Sequence, residues 1–228
     1  EINLETMAYA VKRAHAHGVK VLLDPAPVAE FDESIYPCLE FIKPNETEAS
    51  ALTGIDVTNE QSAIQAARWF LAKGVKHVIV TLGANGVVFV DDTHEQYIPS
   101  FKVKAVDASG AGDTFGGAFL AGMAKGYDIA DAIVFANVAA GISVTKVGCI
   151  ESMPRLDEVT IASKVALDQT LADWVEPLLP LEKRAAWRSP SMYGNPDKQT
   201  VGGAAVSFLL RPCASLWSKT TLARSWLM

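Results

Sequence analysis

Residues 40–54 read EFIKPNETEASALTG. An apolar pair enters, Pro44 stops it, Asn45 follows with Glu48 three residues on, and Gly54 closes the run. Proline has no N–H for a sheet ladder and biases the residue before it toward extended backbone, so 40–44 reads as a short strand. Asparagine with an acid three positions later, ahead of a run ended by glycine, predicts a helix over 46–53. Strand, loop and helix in direct succession are the unit from which an α/β sheet is built.

Working outward, the same alternation continues. Upstream, Leu4, Met7, Ala8, Val11 and Ala14 recur at helical spacing, and Gly18 sits where a C-terminal cap belongs. VKVLLD (19–24) predicts a short buried strand opening into the loop DPAPV (24–28). Downstream, a longer helix is predicted over 60–73 and ended by Gly74. HVIVTLG (77–83) and GVVFVD (86–91) read as strands joined by a tight turn at Ala84-Asn85-Gly86. Helices over about 113–125 and 129–145, a glycine-containing loop and a last helix near 156–166 complete the pattern. The expected class is α/β with a mostly parallel sheet. Such sheets bind ligands beyond the carboxyl ends of their strands, and the loops DPAPV, PNE, TLGANG and DASGAGD all fall at such ends.

Half of the 228 residues are hydrophobic and a fifth are charged, which is ample for a packed core. A net charge of -6 argues against a nucleic-acid or membrane-surface partner, because phosphate-rich surfaces call for clustered Lys and Arg. Cys38, Cys149 and Cys213 are scattered and lack CxxC spacing, so they read as reduced thiols of a cytoplasmic protein, not as a disulfide frame or zinc site. His15, His17, His77 and His94 form no metal-ligand pattern. No apolar run reaches the length of a membrane span, and EINLETMAYA lacks the regions of a signal peptide. The chain opens in an amphipathic helix without an initiator Met, and is expected to begin partway through a domain. Beyond residue 167 the texture changes: four of the five tryptophans lie there, and RSPSMYGNPDKQTVGG is rich in turn residues without periodicity. Residues 168–228 are read as an appended tail without a motif.

The chemistry concentrates in VDASGAGDTFGG (106–117). Gly110, Ala111 and Gly112 leave the backbone open, so successive N–H groups at a helix start can face one oxyanion. Asp113, next in line, could take the proton of an attacking hydroxyl. The plainer reading is a glycine-rich loop with Asp113 as a favourable first-turn acid. The stretch is not GxGxxG, since Phe115 stands where the third glycine belongs, and no GxxxxGK[ST] occurs. Asn45 and Glu48 allow two readings: a capping box, which spacing alone favours, or contacts to nucleotide phosphates and a metal's water shell. TLGANG is either a hairpin turn or a place where Thr81 and Gly83 let a nucleotide approach the backbone. Asn137, in a run of Ala and Val, reads by default as a polar residue facing solvent. Asp107, Lys146, Gly148 and Ser152 could gather a large monovalent cation, though the pattern alone is non-specific.

KPNETEA (43–49), TLGANG (81–86) and DASGAGD (107–113), in this order, resemble the carboxyl-terminal half of the ribokinase-like (PfkB-type) carbohydrate kinases. DPAP and KPNETEA resemble the ribokinase branch. The resemblance covers residues 1 to about 167 and implies a three-layer α/β/α fold, truncated at its N-terminus. It implies that Asp113 is the catalytic base and that Gly110, Ala111 and Gly112 form the anion hole. It implies that Asn45, Thr81, Leu82, Gly83, Ala84, Asn85, Gly86, Gly112 and Asn137 hold ATP, with Glu48 helping to place Mg²⁺. Asp107, Ser109, Ser143, Lys146, Gly148 and Ser152 would form a K⁺ site, and Glu1 falls where ribokinases place an acid that contacts the sugar. The family usually has Thr where Ala108 stands here, which removes a hydroxyl that could brace the loop. Family members also carry a comparably long segment before the position of Glu1, with the first strands, most of the sugar pocket and a lid used in dimer contacts. The implied function is ATP-dependent phosphorylation of a sugar hydroxyl, with ribose the favoured acceptor, in a family member expected to be a homodimer. The alternatives are a truncated nucleotide-binding remnant without turnover and another kinase of the family, such as a fructokinase or adenosine kinase.

Overall fold

A computed structural model describes residues 2–160 and 162, and Glu1–Pro154 form one compact unit. Glu1 and the segment 168–228 lie outside the described residues. Helix α1 (Leu4–Ala16) opens at Asn3, whose side chain accepts the N–H groups of Glu5 and Thr6. Strand β1 (Leu22–Leu23) follows, then a 3-10 helix over Glu33–Cys38, then β2 (Phe41–Ile42). Two helices come next, α2 (Glu46–Thr53) and α3 (Glu60–Ala72), each opened by a capping box on Asn45 or Asn59. Strands β3 (His77–Thr81), β4 (Val87–Val90) and β5 (Glu95–Ile98) lead to α4 (Ala111–Ala124) and α5 (Ile129–Ser143).

The five strands form one sheet in the order β1-β2-β3-β4-β5. β1 and β2 pair in parallel, as do β2 and β3, whereas β4 runs antiparallel to both of its neighbours. β1, β2, β3 and β5 therefore point one way and β4 the other. The register places Thr81, Val87 and Ile98 side by side, so β3 and β5 end on one edge. The loops after β2 and β3 and the segment leading to 106–113 leave from it.

Alternation along the strands assigns the two faces. Ile42, Val78, Val80, Val88 and Val90 pack with Ala8 and Val11 of α1 and Ala63, Ala67 and Phe70 of α3. Phe41, one position away from Ile42, meets Phe119 of α4 edge-on with ring centroids 5.1 Å apart. Helices thus cover both faces, giving the expected three layers. Phe41, Phe70 and Phe119 are each at most 2% exposed, and burying such a side chain stabilises by about 1.5–3 kcal/mol.

Several boundaries differ from expectation. β1 and β2 are two residues each, because the ladder extends only over the pairs Leu22–Phe41 and Leu23–Ile42. The link between β3 and β4 is a 3-10 turn over Gly83–Asn85, not a two-residue hairpin. α4 starts at Ala111, two residues before the expected start. β5 and the 3-10 helix over Glu33–Cys38 are additions to the expected pattern. Among the described residues no helix is long and apolar enough to cross a membrane, and Cys38 and Cys149 are free thiols.

Candidate active site

The first turn of α4 is built differently from those of the other helices. Side chains of Asn3, Asn45, Asn59 and Asp128 cap α1, α2, α3 and α5, but α4 has no side-chain cap. Its N-cap is Gly110 at φ 73°, and a Cβ there would collide with the Cys149 sulfur. Left-handed backbone and close approach both demand glycine at this position. Ala111 N–H donates to the Ala108 carbonyl at 3.2 Å, and Thr114 N–H to that of Gly110 at 2.9 Å. Among the described residues the amides of Gly112 and Asp113 have no acceptor. The Ala111 amide, expected to face an anion, is instead engaged in closing the turn before the helix. The open pair lies one residue further along. Unpaired amides at the positive end of a helix dipole favour an anion. Asp113 is exposed and has no hydrogen-bond or ion partner among the described residues.

The loop after β2 contains the capping box in full. Glu48 N–H donates to Asn45 Oδ1 at 2.9 Å, and Asn45 N–H and Nδ2 donate to the two Glu48 oxygens at 2.8 Å each. Both side chains are committed to this contact. Burial pushes the Glu48 carboxyl up, Asp24 and Glu46 add to it, and the Asn45 N–H and Lys43 work against it. The loop is joined to the next one: Thr81 N–H donates to the Pro44 carbonyl at 3.0 Å, and Asn45 and Thr81 form a parallel bridge.

The stretch 81–86 is braced from its far side. Ser100 Oγ donates to the Ala84 carbonyl at 2.6 Å, Lys102 Nζ lies 3.4 Å from the same oxygen, and the Tyr97 hydroxyl donates to the Asn85 carbonyl. Leu82 N–H donates to the Gly86 carbonyl at 2.8 Å. Asn137 does not face solvent. It is buried in α5 and donates from Nδ2 to the Pro99 carbonyl at 2.8 Å, so it holds the strand that braces the loop.

Asp107 organises the opposite wall. Its Oδ1 accepts Ser109 N–H at 2.9 Å and its Oδ2 accepts Gly148 N–H at 3.0 Å. The Gly148 amide, then Ser109, holds its carboxyl below the usual aspartate range. The Val144 carbonyl accepts the N–H groups of Val106 and Asp107. Ser143 and Ser152 are buried, and their hydroxyls donate to Ala140 and Cys149 carbonyls. Lys146 N–H donates to the Ser143 carbonyl. Among the described residues no group of three His, Cys, Asp or Glu side chains could chelate a metal ion. Hydrogen bonds and close contacts thus bring together Asp107, Ser109, Gly110 and the loop 143–152, and separately Asn45, Glu48 and Thr81–Gly86. Two hollows, of about 200 and 440 Å³, lie elsewhere, along α1 and the loops beside it.

The profile of the pfkB family carbohydrate kinases matches residues 1–156. The chain belongs to this family. It is 43% identical over 160 residues to a ribokinase of Staphylococcus aureus (strain COL), covering 70% of this chain and 53% of that protein. The ribokinase structure of Thermotoga maritima superposes with a TM-score of 0.65 at 40% identity, over 72% of this chain and 54% of that one. The ribokinase of Arabidopsis thaliana complexed with ribose and ATP gives 0.67 at 31% identity, over 72% and 53%. This pfkB-family chain spans about half the length of the curated relatives it matches.

Sequence reasoning missed the residues that brace this candidate site: Tyr97, Ser100 and Lys102 behind the 81–86 loop, and Lys43 with Asp24 beside α4. Two of them left a signal: Lys43, a cation directly after the apolar pair of a buried strand, and Asp24, the first residue of the loop DPAPV. Lys43 is 3% exposed, and its Nζ lies 2.8 Å from Asp24 Oδ2.

Proposed function

We propose that this chain carries the nucleotide-binding and phosphoryl-transfer part of an ATP-dependent sugar kinase whose acceptor is a hydroxyl of ribose. The observation that carries the reading is the uncapped start of α4, with free amides at Gly112 and Asp113 and an unpartnered carboxylate on the same turn. Family membership and the ribose and ATP bound in the Arabidopsis relative support it.

The amides of Gly112 and Asp113 hold the terminal phosphoryl group, whose charge spreads over its oxygens during transfer. Asp113 accepts the proton of the sugar hydroxyl as that oxygen attacks phosphorus, and ADP leaves. The 81–86 loop, fixed by Ser100 and Asn137, and the loop carrying Asn45 flank the nucleotide. Glu48 orients Asn45 and would help place a nucleotide-borne Mg²⁺, which would neutralise phosphate charge. Asp107, Ser109, Ser143, Lys146, Gly148 and Ser152 would together hold K⁺. Asp107 draws the two backbone segments together, and carbonyls supply the oxygens such an ion needs. Glu1, a candidate sugar contact, lies outside the described residues. Cytoplasmic location, and homodimeric assembly of the intact family member, complete the proposal.

Asp113→Asn keeps the shape of the turn and removes the base. Calorimetry with an ATP analogue is expected to give nearly unchanged affinity, while ribose-dependent ADP release falls about 10²–10⁴-fold. A variant that keeps most of its turnover would remove Asp113 from the mechanism. Binding without ribose-dependent turnover in the unsubstituted chain would leave a nucleotide-binding module only.

A further inference from the structure

Lys43 is a cation only 3% exposed, with Asp24 as its ion-pair partner at 2.8 Å. A Cβ built on Gly116 would lie 3.5 Å from Lys43 Cε, and one on Gly112 3.8 Å from its Nζ. The lysine stem therefore lies along the strip of α4 left bare by two glycines one turn apart, with the ammonium toward the first turn. A positive charge at that end opposes the helix dipole, and taking it out of water costs further free energy. A methionine would fill the same strip without either cost. Asp24, 30% exposed at 2.8 Å, balances one charge. The open amides of Gly112 and Asp113 add positive partial charge on the same turn, facing the carboxylates of Asp24 and Asp113.

We propose that Lys43, anchored by Asp24, is a positioning residue that adds fixed positive charge beneath the amides of Gly112 and Asp113 and so holds the terminal phosphoryl group of the nucleotide. The proposal rests on the kinase reading above. A methyl group at either glycine would only touch the stem at ordinary contact distance, so both glycines leave the path of Lys43 open without being required by it. The proposal explains the place of Asp24, because a flexible lysine without a clamp contributes little to a preorganised site.

The test is calorimetric titration of the full chain with adenosine and with the non-hydrolysable analogue AMP-PCP. Lys43→Met is expected to weaken AMP-PCP by about tenfold or more while leaving adenosine unchanged, because charge-assisted contacts are lost and packing is kept. Lys43→Arg should retain most of the AMP-PCP affinity, and added salt should weaken the unsubstituted chain more steeply than Lys43→Met. If Lys43→Met does not fold, the double variant Asp24→Asn with Lys43→Met removes both charges together and is expected to show the same selective loss. Equal AMP-PCP affinity in the folded variants would overturn the role of Lys43 alone. Parallel loss of adenosine and AMP-PCP would mark it as structural and also overturn the proposal. If the unsubstituted chain binds neither ligand, the kinase reading falls, and this proposal falls with it.

Discussion

At the scale of single residues, the site is shaped by what cannot be replaced. A Cβ on Gly86 would run into the Ile98 carbonyl and come within 2.9 Å of Pro99 Cα, and its φ is 103°. Gly86→Ala is therefore expected to destabilise by about 1–3 kcal/mol, read as a lower midpoint in urea, and to loosen the 81–86 loop. The sequence marked this glycine through the turn it closes. It could not mark Ile98, whose carbonyl sets the clearance, because that contact joins chain segments brought together only by β4 and β5. The converse holds for Asn45 and Glu48. Their spacing was legible as a capping box, and the contacts between their side chains and amides bear that out. Asn137 is buried against expectation because its Ala and Val neighbours carry no directional signal; its helix is apolar all round, so no face announces itself as wet.

At the scale of elements, helices are more legible than strands. α2 runs over Glu46–Thr53 as expected, since both of its ends carry local chemistry: an asparagine box at one and Gly54 at the other. α3 has the same kind of start. Asn59 accepts Ser62 N–H at 3.0 Å, and Ser62 Oγ accepts the Asn59 N–H at 3.1 Å. Asn59→Ala removes this cap far from α4, so it should cost about 1 kcal/mol in chemical denaturation and leave nucleotide affinity unchanged. A coupled fall in affinity would mean that α3 positions the site. β5 leaves no local mark because Glu95-Gln96-Tyr97-Ile98 buries only its last residue and offers no apolar run. It is an edge strand, held by pairing to β4 and by Arg68, whose Nε lies 2.7 Å from Glu95 Oε1. Tertiary pairing decides such a strand, and local propensity does not.

At the scale of the whole molecule, the class and the layering were legible because alternating strands and helices leave few ways to cover a sheet. The reversal at β4 was legible as well, since only a short turn separates β3 from β4 and parallel neighbours need a crossover. Core packing on the α1 and α3 face centres on Phe70, which is 0% exposed and touches Tyr36 and Trp69 through ring contacts. Phe70→Ala should cost about 3–5 kcal/mol, a large part of the stability of an ordinary domain, and a urea titration would show it as a strongly lowered midpoint. A loss below about 1 kcal/mol would mean that this face contributes little. One small feature reaches further than its size. The bridge between Asn45 and Thr81 carries the parallel ladder past the end of β2. The loops that leave at Asn45 and at Thr81 are thus seams of one sheet and not independent flaps. A nucleotide held by these loops, as proposed, would find its berth stiffened in advance, with the disorder that docking must remove already gone when the chain folds.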